Sequence, residues 1–264
     1  MAKVEVLLAT MFFEKESDAF LDEMNVQSDI VIGNQCNEDG IKVCDHKGHK
    51  VTVLSSSQRG VGKNRNAALQ FSDADIVLFA DNDVRYYDGY REKIEEYYAR
   101  NPKADVVIFN FKTKRGDEEL YDINLKDKKA GLRDITKFGT WAITAKRSSL
   151  AKHRITFSLL FGGGAKYSCG EDTVFLADCY NKGLNIYLCS DTLGEVIHNE
   201  STWFNGINEK YVRDKGALFG AAYPKLYGLF LIYHVLKHRK TYGQVGSPIK
   251  VLSMMLDGAR EYRS

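Results

Sequence analysis

Residues 75–80 read Asp-Ile-Val-Leu-Phe-Ala and run straight into Asp81-Asn82-Asp83. A strand that is apolar throughout is buried on both faces, the condition of an inner strand with helices on either side of its sheet. The preceding and following segments keep the same pace. Apolar runs at Val4–Thr10, Ile30–Gly33, Lys50–Leu54 and Ala104–Phe111 predict further strands. Helical spacing over Glu14–Met24, Gly62–Phe71 and Tyr87–Arg100 predicts helices between them, the last stopping before Pro102. Strands alternating with helices imply an α/β fold with a mostly parallel central sheet flanked by helices. Residues 1–112 therefore read as a nucleotide-binding type of half-domain.

Beyond residue 112 the pattern is less regular. Lys112–Lys129 is dense in charge and reads as a surface loop or hairpin, and Phe138–Thr144 as a short strand. Phe161-Gly162-Gly163-Gly164 reads as a mobile or tightly bent loop, because glycine lowers the cost of unusual dihedrals. Glu171–Asn181 is helical by period, with Gly183 placed to end it, and Asn185–Cys189 is a further strand. With 44% apolar residues in 264, one sizeable core is available. The expected organisation is a catalytic unit over 1–205, divided at 112/113, followed by a helical extension over 206–264.

Net charge is only +2, which argues against nucleic acid as a partner, since non-specific binding needs a basic excess. The five cysteines are odd in number and lack C-x-x-C spacing, so a reduced, cytoplasmic chain is expected. The N-terminus enters its first apolar run with no basic n-region or cleavage site, so no signal peptide is expected. No run of about 18 apolar residues predicts a membrane span.

The stretch Ser55–Leu69 looks like a phosphate-binding loop opening a helix, but it fails the spacing test. Ser57 stands where the first glycine of G-x-x-x-x-G-K-[ST] belongs, and Asn64 where its hydroxyl belongs. The dinucleotide pattern G-x-G-x-x-G fits Gly60 and Gly62 and then fails at Arg65. What remains is a glycine-rich turn with Arg59, Lys63 and Arg65 around a helix start. The helix macrodipole disfavours cations there, which points to an anionic partner.

Two acidic groupings follow. Asp81 and Asp83 lie at the carboxyl end of a buried strand, where parallel sheets bind ligands, and two carboxylates so close suit a shared magnesium or manganese ion. A solvated acidic turn is the alternative. Glu171 and Asp172 open a helix after Gly170, which fits either capping or a proton acceptor for an attacking hydroxyl.

The order LLAT…RGVGKNRNAAL…IVLFADND…CGEDTVFL…HNESTW resembles family 2 glycosyltransferases with the GT-A fold, over about residues 4–205. The resemblance implies inverting transfer from a nucleotide-diphosphate sugar with a divalent metal, Mn2+ or Mg2+. By position it implies Asp83 on the metal, Asp81 on metal or ribose, Arg65 near the diphosphate, Asp172 as general base and Glu171 against the acceptor. Thr10 ends the first strand where the family touches the nucleotide. Where the family often has Asp-Asp-Gly-Ser, this chain has Gly33-Asn34-Gln35, and an amide can pair with both N–H and C=O of uracil, which keeps a UDP-sugar as the favoured donor. Asn34, Gln35, Arg59 and Lys63 complete the expected donor site.

His198 stands where many GT-A enzymes place a late metal-binding histidine, although a lone histidine is also a common packing residue. Trp141 and Trp203 fit either sugar stacking or the core. With Gly163 and Gly164, which are expected to close over the substrates, they make up the expected acceptor site. A glycan or lipid-linked saccharide is the implied acceptor. Residues 217–240 are strongly apolar, broken by Pro224, and end in Lys237-His238-Arg239-Lys240. Two short helices are expected there, attached to an anionic membrane face, packed on the catalytic unit or forming a homodimer. Membrane attachment would place the chain at the inner face of the plasma membrane. A sugar nucleotidyltransferase shares the metal and diphosphate pocket, but its glycine-rich turn after the first strand is replaced here by Ala9–Ser17. A non-catalytic nucleotide-sugar binder would not need Asp172.

Overall fold

A computed structural model describes residues 2–13, 17–115, 118–120, 126–197 and 206–264. Its strands are β1 (Val4–Met11), β2 (Asp29–Gln35), β3 (Gly40–His46), β4 (His49–Ser56), β5 (Ile76–Asp81), β6 (Val84–Tyr86), β7 (Val106–Arg115), β8 (Glu118–Leu120), β9 (Lys128–Lys129), β10 (Ile143–Lys146) and β11 (Ile186–Ile197). Its helices are α1 (Ser17–Met24), α2 (Val61–Phe71), α3 (Tyr90–Arg100), α4 (Arg147–Lys152), α5 (Glu171–Asn181), α6 (Glu209–Ala222), α7 (Tyr227–Lys237) and α8 (Pro248–Arg263).

The strands form one sheet in the order β3-β4-β2-β1-β5-β10-β7-β11-β6, with β8 on β7 and β9 on β11. The sheet is mixed. Strands β4, β2, β1 and β5 run parallel, whereas β10 enters antiparallel between β5 and β7. Val6, Leu7 and Leu8 of β1 and Val77, Leu78, Phe79 and Ala80 of β5 are all but inaccessible, as apolar runs covered on both faces must be. The chain goes from β1 outward through β2 to β4, then crosses by α2 to β5 on the other side of β1. This reversal opens a crevice at the carboxyl ends of β1 and β5, where such sheets bind ligands. There Ala9 lies beside Asp81, and Thr10 beside Asn34.

Several elements differ from the sequence expectation. Phe138–Thr144 is not a strand: a single 3-10 turn spans Thr140–Ala142 and the strand begins only at Ile143. Strand β3 was not anticipated: its alternating apolar residues, Ile41 and Val43, are few and both are exposed. Its turn, Lys47-Gly48, has positive φ at both residues (52° and 82°), the geometry of a tight hairpin. The charged segment after 112 begins as a continuation of β7 to Arg115, then pairs back through β8.

The C-terminal helices pack mainly on one another and on α5. Helices α6 and α8 cross at glycines: a Cβ on Gly216 would lie 1.9 Å from the Met255 carbonyl oxygen, and one on Gly258 2.0 Å from that of Arg213. Rings of Phe161, Tyr167 and Tyr262 join α8 to the glycine loop, with centroids 4.8 to 6.1 Å apart. Helix α7 leaves Leu226 at its N-cap and Leu229, Ile232, Tyr233 and Leu236 exposed, an apolar stripe at helical spacing. No helix among the described residues is long and apolar enough to cross a membrane.

Candidate active site

The glycine-rich turn serves first to bring protein segments together. Gly60 has φ of 123°, a conformation that glycine tolerates and other residues rarely adopt. Its N–H donates to Gln35 Oε1 at 2.8 Å. A Cβ on Gly62 would lie 2.4 Å from the Ser158 carbonyl oxygen, so the segment before the triple glycine rests directly on the start of α2. The Val61 N–H donates to the Gly163 carbonyl at 3.1 Å, and Gly164, at φ of 80°, lies over Gly60. The triple glycine is thus a tight bend packed against the first turn of α2.

Asn64-Arg65-Asn66 then points three polar side chains in three directions. Asn64 Nδ2 donates to the carbonyls of Gly33 (2.7 Å) and Thr10 (3.3 Å), clamping α2 to the ends of β1 and β2. Position 33 has to be glycine, because a Cβ there would lie 2.1 Å from Asn64 Oδ1. Asn66 holds both backbone groups of Phe157, at 2.9 and 2.7 Å. Neither asparagine was singled out from sequence as a site residue. The available signal was a run of three polar residues, Asn64-Arg65-Asn66, in a helix whose further buried positions are Gly62, Ala68 and Leu69.

Arg65 is 4% exposed and lies between two carboxylates. Its Nη2 donates to Asp81 Oδ1 at 2.6 Å and its Nη1 to Glu171 Oε1 at 2.9 Å. Its guanidinium carbon sits 5.4 Å from the Phe157 ring centroid, and Phe157 is stacked on Phe175. Burial opposes the charge, but the two carboxylates outweigh it and hold Arg65 cationic well above the usual range. Arg65, expected near the diphosphate, and Glu171, expected against the acceptor, are thus paired with each other. Arg65 joins the end of β5 to the start of α5.

Asp172, next to Glu171, has no such ion pair. Burial, and then the charge of Glu171, push its carboxyl up to about 6; the Thr173 N–H, Arg65 and Lys215 oppose the rise. The Thr173 N–H donates to its Oδ1 at 2.6 Å. Two adjacent carboxylates at one helix start thus have different environments, one neutralised by an arginine and the other poised to exchange a proton near neutral pH.

The other predicted residues are placed as follows. Asn34 Oδ1 accepts from the Phe13 N–H at 2.8 Å and its Nδ2 points at the Phe13 carbonyl and Ser55 Oγ, so its amide is spent on the protein rather than offered to a base. Arg59 donates to the carbonyls of Cys36 and Ser57 and to Asn37 Oδ1, with its guanidinium over the Phe12 ring, which makes it a loop clamp. Lys63 is exposed and, with Gln35 and Asn64, lines a cleft of about 530 Å³ between α2 and the β3–β4 hairpin. Trp141 packs edge-on against Phe111 at 5.5 Å, in the role of a core residue. His198 and Trp203 lie outside the described residues. Among the described residues no three His, Cys, Asp or Glu side chains are grouped to hold a metal. Asp81 and Asp83 are hard oxygen donors at the strand end, which fits a magnesium- or manganese-type ion drawing its other ligands from a diphosphate and water.

Fold and site define a GT-A-type α/β protein, with its crevice at the carboxyl end of a parallel half-sheet. Residues 34–154 match the sequence profile of Glycosyl transferase family 2. No curated protein matches it by sequence. Among solved structures it is similar to S. aureus TarS 1-349 in complex with UDP-GlcNAc, with a TM-score of 0.65 at 14% identity, covering 99% of this chain and 91% of that one. The complex of the same protein with UDP gives 0.63 at 14% identity with the same coverage. Against the longer TarS structure the TM-score is 0.61 at 16% identity, and the match spans 87% of this chain and 40% of that one.

Proposed function

We propose that the protein is an inverting glycosyltransferase that moves a sugar from a UDP-sugar to a saccharide hydroxyl, with Asp172 as general base. The observation that carries this reading is the continuous path Asp81–Arg65–Glu171 with Asp172 beside it, which fixes the carboxylate at the nucleotide end relative to the proton acceptor. The relatives of the same fold that hold UDP-GlcNAc and UDP support the choice of nucleotide.

In the proposed reaction the acceptor hydroxyl oxygen attacks the anomeric carbon and its proton passes to Asp172. The carbon–oxygen bond to the diphosphate breaks, and its electron pair leaves with UDP. Attack from the face opposite the diphosphate inverts the configuration. Asp81 and Asp83 would hold a divalent ion whose chemistry is to offset charge on the departing diphosphate. Arg65 acts as a positioning residue, holding Asp81 and Glu171 in place. Release of UDP from a panel of UDP-sugars tests the assignment. Turnover is expected with at least one donor in the presence of Mn2+ or Mg2+ and to fall at least tenfold with a chelator. No turnover of any donor under either condition would remove it.

A further inference from the structure

The cleft bounded by α6, α7 and the 133–137 segment adjoins the proposed base. It has a volume of about 740 Å³ and reaches Thr173, the residue that follows Asp172. Its charge is one-sided. Arg133, Lys137, Lys215 and Lys237 line it, and no aspartate or glutamate does. Lys137 is paired with Asp134 at 2.8 Å, but among the described residues Arg133, Lys215 and Lys237 have no carboxylate within ion-pair distance. Lys215 is also half-buried, with its ammonium 5.5 Å from the Tyr211 ring centroid. Lys215 sits where its charge acts both on Asp172 and on His234 and His238 at the far side of the cleft. Burial holds His234 down to about 4, so lysine and arginine set the sign of the cleft at neutral pH. Tyr223 and Phe230, stacked with centroids 3.9 Å apart, supply a flat apolar wall of the kind sugar rings lie against.

We infer that this cleft binds the acceptor, and that the acceptor is an anionic saccharide whose phosphate or carboxylate is held by Lys215 and Arg133. The inference rests on the proposed role of Asp172, since the cleft matters for transfer only if the attacking hydroxyl is delivered there. A charged glycan can place its anionic group between Lys215 and Arg133 and its neighbouring hydroxyls toward α5, which a neutral glycan has no group to do.

Calorimetric titration with three probes tests this: glucose 6-phosphate, tetragalacturonate and, as the neutral control, maltotetraose. At least one anionic probe is expected to bind tenfold or more tightly than maltotetraose at low salt and to weaken as salt is raised. Which probe binds identifies the anionic group. The Lys215→Gln/Arg133→Gln variant, with its fold checked by its melting temperature, is expected to lose at least fivefold in that affinity. The inference is overturned if neither anionic probe outbinds maltotetraose, or if the folded variant binds them as well as the parent protein. Titration of the parent protein with UDP is read separately: loss of UDP binding would count against the donor assignment, and the anion result would stand or fall on its own.

Discussion

Replacing Asp172 with Asn is expected to lower the transfer rate by about a thousandfold, within the range that removal of a general base costs, while UDP affinity changes by less than about threefold. The same variant is expected to be more stable than the parent at pH 7.5. The sign follows from the carboxyl, which is raised to about 6 in the folded protein, above its ordinary value of 3.8. A proton is therefore bound more tightly by the folded state. Asp172 favours folding below about pH 4, and that contribution is lost as pH rises through about 6. Above that range the ionised group costs up to about 3 kcal/mol, at about 1.4 kcal/mol for each unit of displacement. An asparagine never ionises, and its amide oxygen still accepts from the Thr173 N–H. Steady-state rates and urea denaturation on one preparation read both effects. A variant that is inactive and also destabilised would point to a structural role for Asp172.

Arg65→Met is expected to have the opposite signature. The side chain is fully enclosed and neutralises Asp81 and Glu171 together. Its removal strands two carboxylates against an apolar wall made by Phe157 and Phe175. Breaking one side of a buried ion pair costs about 3–5 kcal/mol, and the expected loss here is of that size, with transfer falling at least a hundredfold. Arg65→Lys is expected to lie between the two, because one ammonium cannot bridge both partners as a planar fork does. Chemical denaturation at pH 7 measures the loss. A loss below about 1 kcal/mol would contradict the bridging role.

How far the site was legible depended on how local its signals were. The strand end at Asp81, the helix starting at Glu171 and the turn before α2 are all written in short runs of residues, and the structure places each near the expected position. The partners of Arg65 were not legible, because Glu171 is 106 residues away and only the sheet crossover brings it within 2.9 Å. A cation in the first turns of a helix looked like a phosphate ligand; two carboxylates from other elements had already claimed it. The partners of Asn34 were hidden for a similar reason. An amide beside a nucleotide crevice can read a base, but here it pairs with the Phe13 backbone across the strand ends. The glycines at 60 and 62 were read as room for a ligand, and they prove to be room for residues 158–164 of the chain itself. Strand β3 lies at the sheet edge, so Ile41-Lys42-Val43 and the Lys47-Gly48 turn were its only local signals.

The role of Asp172 as proton acceptor is read from the pH dependence of UDP release, with whichever UDP-sugar turns over and water or a saccharide as acceptor. The rate is expected to climb tenfold per pH unit up to about pH 6, the range in which Asp172 loses its proton, and then to level off. A rate that is level from pH 4.5 to 8, or that Asp172→Asn leaves with the same pH break, would contradict it.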